Sequence, residues 1–128
     1  MNLQPRLTLT DMDMAQCDVL GTMSYKRVRV ELWKEIGIAL HWYEHRGIIG
    51  SLQNDGYECG YRISHYQSGR SVLKRIKGRS QAIAYMMELH AVLSDWRGTY
   101  DQMISISNTM PIVERVISLQ DKIDNTKE

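Results

Sequence analysis

The sequence is poor in cysteine and has no long hydrophobic run. Only Cys17 and Cys59 are present. They lack C-x-x-C spacing and are too few for a disulfide scaffold, so we interpret them as reduced thiols, with a bridge between them left open. No apolar run approaches the roughly 20 residues that a membrane-spanning helix needs, and the N-terminal residues lack the pattern of a secretory signal. These absences predict a cytoplasmic protein that does not enter a membrane.

Recognisable catalytic motifs are also missing. The chain has no G-x-S-x-G, no P-loop and no G-x-G-x-x-G sequence. Gly47, Gly50 and Gly56 are too loosely spaced to hold a pyrophosphate. We therefore predict that the protein is not an enzyme and that it carries no cofactor.

One short motif, HWYEH at residues 41–45, points the other way, because H-x-x-E-H is the order found in the inverzincin zinc peptidases. On a helix, His41 and His45 would lie one turn apart, about 6 Å along the axis, and could bind zinc with Glu44 as a base. On a strand they would stand about 13 Å apart and could not share an ion. A metal-dependent hydrolase is therefore the remote alternative, with His41 and His45 as its weak metal candidates.

The length and composition are typical of one globular domain: 128 residues, of which 43% are hydrophobic and 24% charged. We expect a single domain over residues 1–128, made of an N-terminal segment (1–23), a core (24–98) and a C-terminal segment with a helix (99–128). The predicted fold class is α+β. A three-stranded antiparallel sheet would pack against helices in the order α-β-β-β-α, followed by the additional C-terminal helix.

The first predicted element depends on an ambiguous stretch, residues 24–47. Its apolar residues alternate as in a strand, yet Leu32, Ile36 and Leu40 also share one face of a helix. An unbroken strand of this length would be unusual, and no Asn-Gly turn divides it into a hairpin. We therefore predict a helix that starts with Ser24 as a cap and stops at Gly47, with an extended start near Val28 left open.

Turn signals separate the segments that follow. Strands are predicted at residues 47–52, 57–66 and 71–76, with turns at 54–56 and 67–70. A helix capped by Ser80 would then run to near Gly98. After a possible short strand at 103–107, Thr109 would cap a last helix that has Pro111 in its first turn. The apolar positions of this helix would close the core of the chain or pair two copies.

Positive charge is concentrated in the middle of the chain, although the net charge is only +1. Residues 26–79 carry eleven bases against five acids, and residues 61–79 contain no acid. Two related turns, SGRS (68–71) and KGRS (77–80), put cations beside backbone N–H groups that could bind a phosphate, although the same residues also suit ordinary turns and caps. The predicted nucleic-acid or anion-binding residues are Arg62, Arg70, Lys74, Arg75, Lys77, Arg79 and Ser80.

The segment GYRISHYQSGRSVLKRIKGRSQAIAYMMELHAVL resembles the end of the double-stranded-RNA-binding domain, in which a glycine-containing hairpin leads into a helix. The small residues of that pattern are matched by Gly69, Gly78, Ser80 and Ala84. The same hairpin and helix are similar to the N-terminal arm-binding domain of tyrosine recombinases, a resemblance that implies DNA contacts by Arg62, Lys74 and Arg75. Both resemblances cover at most residues 28–96.

Together these patterns predict a non-enzymatic binding module that contacts nucleic-acid phosphates through a basic β-hairpin and a helix N-terminus. The alternative is a small adaptor or inhibitor that binds another protein with its apolar helices and the aromatic HWY surface (41–43). Two broad apolar helices in a short chain also predict a homodimer or a larger homo-oligomer.

Overall fold

The computed structural model describes residues 6–17, 20–45, 58–98 and 110–125. Within these residues the elements are β1 (Thr8–Cys17), β2 (Met23–Trp33), β3 (Ile38–His45), β4 (Glu58–His65), β5 (Ser71–Ile76), α1 (Arg79–Val92) and α2 (Met110–Asp124). The strands form one antiparallel sheet in the order β1-β2-β3-β4-β5. The class is mixed α+β, but the predicted three-stranded sheet and the α-β-β-β-α order are wrong. Neither of these two helices is long and apolar enough to span a membrane.

The predicted first helix is replaced by β2 and β3, which are joined by a turn at residues 34–37. In this turn the carbonyl of Trp33 accepts the N–H groups of Ile36 (3.1 Å) and Gly37 (2.8 Å). Gly37 has a φ of +91°, in the left-handed region that other residues rarely adopt. A single glycine therefore makes the reversal that we expected to need an Asn-Gly pair.

The later elements agree better with the sequence. β4 and β5 confirm the strands predicted at 57–66 and 71–76, and α2 confirms the last helix. α1 confirms the helix before it, but Gly78 is its N-cap and its last residue is Val92. The predicted Ser80 cap and the predicted end near Gly98 are therefore wrong. The strands predicted at 47–52 and 103–107, the turn at 54–56 and the Thr109 cap lie outside the described residues.

Both helices contribute to the larger core, on one face of the sheet. Ile38 and Leu40 of β3 and Ile63 of β4 point to this face and are buried, because alternate residues of a strand share a face. From α2, Leu119 and Ile123 enter the same core. This part of the apolar seam on the last helix thus closes the core of its own chain, one of the two roles expected from the sequence.

The β1–β2 hairpin covers the opposite face of the sheet. Only residues 31–33 of β2 pair with β3, whereas β1 and β2 pair along their whole length, so most of the hairpin can bend across the central strands. Met12 and Met14 of β1 and Val30 of β2 pack there against Ala39 of β3 and form a second, smaller core. Both faces of the central strands are therefore covered around Ala39 and Leu40.

Hydrogen bonds hold the hairpin to the turn between β4 and β5. The N–H of Ala15 donates to the carbonyl of Gly69 (3.0 Å), and the hydroxyl of Tyr66 donates to the carbonyl of Asp11 (3.1 Å). β1 and the β4–β5 turn are far apart in the order of the strands. These contacts therefore bend the sheet back on itself around the second core.

The outer edge of β5 is covered by one side chain of α2. The amide of Gln120 accepts the N–H of Lys74 (2.9 Å) and donates to the carbonyl of the same residue (3.0 Å). The same amide nitrogen also donates to Asp124 (3.2 Å). Gln120 thus makes the two backbone hydrogen bonds that another strand would make at this position.

Replacing Gln120 with alanine is expected to lower the free energy of unfolding by about 1–2 kcal/mol, because two hydrogen bonds to a partly buried backbone are removed. Urea unfolding followed by tryptophan fluorescence measures the change. Ser118→Ala, at an exposed position of α2, is the control and should change stability by less than about 0.5 kcal/mol. Equal stability of the two variants would mean that the Gln120 bridge adds nothing to the fold.

Candidate functional site

The structure separates the predicted binding residues. Arg62 lies on β4, on the face that the hairpin covers, and Arg70 lies in the β4–β5 turn. Arg75, Lys77, Arg79 and Ser80 lie within residues 75–80, at the end of β5 and the start of α1, and Lys74 precedes them. We call residues 75–80 the β5–α1 junction. The seven residues do not share one face, and the junction is the only place where several of them meet.

Arg62 is a core residue in this fold. Its side chain is buried (9% exposed), and its guanidinium carbon lies 3.5 Å from the centre of the Tyr43 ring, within cation–π range. In the sheet it is paired with His41. Because the side chain is buried on this face, Arg62 is not available to a phosphate at the surface.

His41 is the buried neighbour of Arg62. Its Nδ1 donates to the carbonyl of Trp42 (3.3 Å), and because a carbonyl only accepts, Nε2 accepts the hydroxyl of Ser64 (2.9 Å). Burial lowers the pKa of His41 from 6.5 to about 4; the Trp42 carbonyl opposes this shift, and the charge of Arg62 adds to it. His41 is therefore neutral at neutral pH, and both of its ring nitrogens are engaged inside the protein.

The HWYEH segment consequently does not form the predicted zinc motif. It lies on β3, where the positions of His41 and His45 are about 13 Å apart. The helix that would bring them together is absent from this part of the chain. Among the residues that the structure describes, no group of three or more His, Cys, Asp or Glu side chains could hold a metal ion.

Arg70 is exposed in the β4–β5 turn, at the opposite end of β5 from the junction and roughly 20 Å from it along the strand. Its N–H donates to the hydroxyl of Ser68 (3.2 Å), which in turn lies 2.7 Å from Nδ1 of His65. Arg70 therefore belongs to the turn that is hydrogen-bonded to β1, and the structure does not bring it together with the junction.

Arg75 is the first cation of the β5–α1 junction. It has a left-handed φ of +62° and lies where the pairing of β4 with β5 shifts register between Tyr61 and Ile63. Its guanidinium makes two hydrogen bonds to Asp124 of α2, at 3.1 and 3.0 Å. These bonds lower the pKa of the Asp124 carboxyl. The irregularity in β5 thus directs this arginine towards α2.

Arg79, the first residue of α1, is paired with a carboxylate on β2, three strands away from β5 in the sheet. Its guanidinium donates two hydrogen bonds to Glu31 of β2, and Nε lies 3.0 Å from Oε2. The side-chain hydrogen bond from Arg79 lowers the pKa of Glu31, and partial desolvation opposes that shift. The acid-free stretch 61–79 therefore has acids beside it in space, and sequence reasoning missed both Glu31 and Asp124.

Lys77 and the beginning of α1 complete the junction. Lys77 is exposed, and no carboxylate of the described ranges lies within ion-pair distance of it. It borders a surface pocket lined by Arg75, Ile76, Lys77, Gln81, Tyr85 and Ile123. The N-cap, Gly78, supplies no side-chain hydrogen bond, and the first turn of α1 contains no acid. The first N–H groups of α1 are therefore not capped by a side chain.

An aromatic pair adjoins the junction. Trp42 of β3 is 49% exposed, and its ring meets that of Tyr61 edge to face, with centres 5.1 Å apart and planes at 82°. Tyr61 is paired in the sheet with Ile76, the residue before Lys77. The indole N–H of Trp42 points to Glu44 (3.5 Å). The HWY segment was expected at the surface, but the pairing of β3 with β4 could not be predicted once residues 24–47 were assigned to a helix.

Comparison of the chain with protein-family models, with curated proteins and with solved structures finds no match. The resemblances to the double-stranded-RNA-binding domain and to the recombinase arm-binding domain therefore remain predictions. Function has to be inferred from the β5–α1 junction and the aromatic pair themselves.

Proposed function

We propose that the protein is a non-enzymatic binding module that contacts nucleic-acid phosphates at the β5–α1 junction. The observation that carries the proposal is the position of exposed Lys77 beside the uncapped first turn of α1, with Arg75 and Arg79 on either side of it in the sequence. Helix N-termini attract phosphate through their N–H groups and dipole, and nearby cations strengthen that attraction.

The ion pairs of Arg75 and Arg79 are compatible with this role. Both arginine side chains are about half exposed, and exposed ion pairs add little net stability. A phosphate offers an arginine the same two-point hydrogen bonding as a carboxylate, so it can replace Asp124 or Glu31. Binding would then leave Asp124 or Glu31 without its arginine, but both carboxylates are partly exposed, so water can solvate the released charge.

Binding at the junction should depend on salt. With Lys77, Arg75 and Arg79 each meeting one phosphate, the plot of log affinity against log salt is expected to have a slope of about −2 to −3. Fluorescence anisotropy with labelled duplex and single-stranded oligonucleotides, from about 50 to about 200 mM salt, measures this slope. Lys77→Ala should weaken binding and make the slope less steep by about one unit.

Lys26→Ala is the matched control, because Lys26 is an exposed lysine of the β1–β2 hairpin outside the junction. This variant should keep the wild-type slope. Absence of binding to every oligonucleotide at about 50 mM salt would refute the proposal. If the Lys77→Ala variant has the same slope as the wild type, the β5–α1 junction is not the site of phosphate binding.

A second candidate function is contact with another protein, as an adaptor or inhibitor. It is favoured by large apolar side chains on the outer side and turn of the β1–β2 hairpin, where Leu20 is 87%, Tyr25 61% and Met23 38% exposed. Aromatic residues and methionine are enriched in protein interfaces. A homodimer through this surface is the simplest form of this function, and light scattering at micromolar concentration would detect it.

A further inference from the structure

We infer that the nucleic acid bound at the β5–α1 junction is single-stranded and that one of its unpaired bases stacks on Trp42. This inference rests on the function proposed above and adds the class of nucleic acid to it. Three features of the fold lead to it: the absence of an element suited to a duplex groove within the described residues, the exposed indole ring, and the short distance between that ring and the junction.

The described elements offer little that could enter a duplex groove. Proteins read a duplex with a helix or a two-stranded ribbon that fits the groove and presents cations to the phosphates. Around Ala39, Leu40 and Ile63 the central strands are covered on both faces, and Arg62 is buried. On the outer side of the hairpin, Arg27 and Arg29 lie beside Asp13 and Asp11. This side of the ribbon therefore has no net positive charge, and unlike the junction it has no helix N-terminus beside it.

The two helices are no better suited to a groove. The exposed positions of α1 after Arg79 are occupied by Ser80, Gln81, Ala84, Glu88 and Ala91. They contain no cation. On α2, exposed Arg115 and Lys122 alternate with Glu114 and Asp121. Neither helix therefore presents a basic face to a pair of phosphate backbones.

Trp42 offers a surface that only an unpaired base can use. In a duplex the bases stack on one another, whereas in a single strand they are free to stack on aromatic side chains. Half of the Trp42 side chain is exposed, and the ring is fixed in orientation by its perpendicular contact with Tyr61. A fixed ring loses little freedom when a base stacks on it, which favours binding.

The aromatic pair and the cations are close enough to contact one short strand. Trp42, Tyr61 and Ile76 are neighbours across three adjacent strands, and adjacent strands are about 4.8 Å apart, so Trp42 lies roughly 10 Å from the start of the junction. Glu44, which accepts the indole N–H of Trp42, repels phosphate on its own side of the ring. The backbone of the bound strand would therefore run on the other side, towards Lys77.

The probes are oligo(dT), oligo(rU) and a DNA duplex, each about ten nucleotides long. This length is within the range that single-strand-binding folds bind. Anisotropy at about 50 mM salt should give roughly tenfold tighter binding of the single strands than of the duplex. Trp42→Ala should weaken single-strand binding roughly tenfold and leave duplex binding unchanged. Trp42→Phe should restore most of the affinity, because phenylalanine keeps a stacking face.

Tyr25→Ala is the matched control, since Tyr25 is an exposed aromatic on the hairpin, away from the junction; it should bind as the wild type does. Circular dichroism confirms that each variant is folded, and quenching of wild-type tryptophan emission by oligo(dT) provides a second readout that needs no variant. Duplex binding as tight as single-strand binding, or a Trp42→Ala variant with wild-type affinity for single strands, would overturn the inference while the proposed function stands. Absence of binding to all three probes would overturn both.

Discussion

Replacing Gly69 with alanine is expected to lower the free energy of unfolding by about 2–4 kcal/mol. Gly69 has a φ of +72°, which costs other residues about 1 kcal/mol or more. A Cβ atom there would lie 1.9 Å from the carbonyl oxygen of Asp13 and 3.0 Å from the nitrogen of Ala15. Both atoms belong to the backbone of β1, so no side-chain rotation can relieve the overlap, and overpacking of this kind typically costs about 1–3 kcal/mol.

The strand itself would have to withdraw from the β4–β5 turn. It would lose the hydrogen bond from Ala15 to Gly69 and would disturb Met12 and Met14 in the second core. Urea unfolding with an unchanged m-value would measure the loss, because a constant m-value indicates an unchanged amount of buried surface.

Gly21→Ala is the matched control for this substitution. Gly21 also has a positive φ, +86°, but apart from its two neighbours in the chain, no atom of the described residues lies within 4 Å of the position that a Cβ would take. Its replacement should cost only the backbone strain, about 1 kcal/mol. The difference between the two variants therefore isolates the close contact between β1 and the turn. Equal losses at the two positions would mean that the hairpin does not close on the turn in solution.

Acidification should weaken the protein through His41, by about 3 kcal/mol between pH 6.5 and about 4. The folded state lowers the pKa of this histidine, chiefly because the ring is buried and also because Arg62 is beside it. Between these two pH values the unfolded chain therefore binds a proton that the folded chain does not. The contribution of neutral His41 is complete above pH 6.5 and is lost as the pH falls towards 4.

His41→Gln removes this dependence but keeps an acceptor for the hydroxyl of Ser64. The free energies of unfolding of the two proteins are measured in urea at several pH values between about 4 and 7. The two values should approach each other as the pH falls. Burial also lowers the pKa of His65, but that residue is present in both proteins and cancels in the difference. Parallel curves would show that His41 is not buried in its neutral form.

Local patterns were sufficient for β4, β5, α1 and α2, because glycine or proline marks where these elements begin or end. β4 and α2 also have one clear hydrophobic period. They failed at residues 24–45, where strand and helix periods coincide. The reversal there depends on Gly37 and on a distant segment, since the N–H of Trp96 donates to the carbonyl of Ile36 at 2.7 Å. A hydrogen bond between residues so far apart in the chain cannot be predicted from a short window of sequence.

The candidate site was predictable in part for a similar reason. The cations of residues 75–80 follow one another in the chain, so their proximity could be inferred from the sequence. Their carboxylate partners could not, because Glu31 is 48 residues from Arg79 and Asp124 is 49 residues from Arg75. Arg62 shows a second limit. Alternate residues of a strand face opposite ways, so Arg62 and Tyr61 lie on opposite faces, but only the path of the β1–β2 hairpin determines that the face of Arg62 is also covered.

The contact between Gln120 and Lys74 also has a consequence for aggregation. An open strand edge can recruit a strand from another molecule and so start a growing assembly. In this fold the side chain that covers the β5 edge, Gln120, belongs to α2, the last element of the described chain. Any local opening that releases α2 would uncover the edge at the same moment. Resistance to fibre formation should therefore follow the stability of α2 docking more closely than the stability of the sheet.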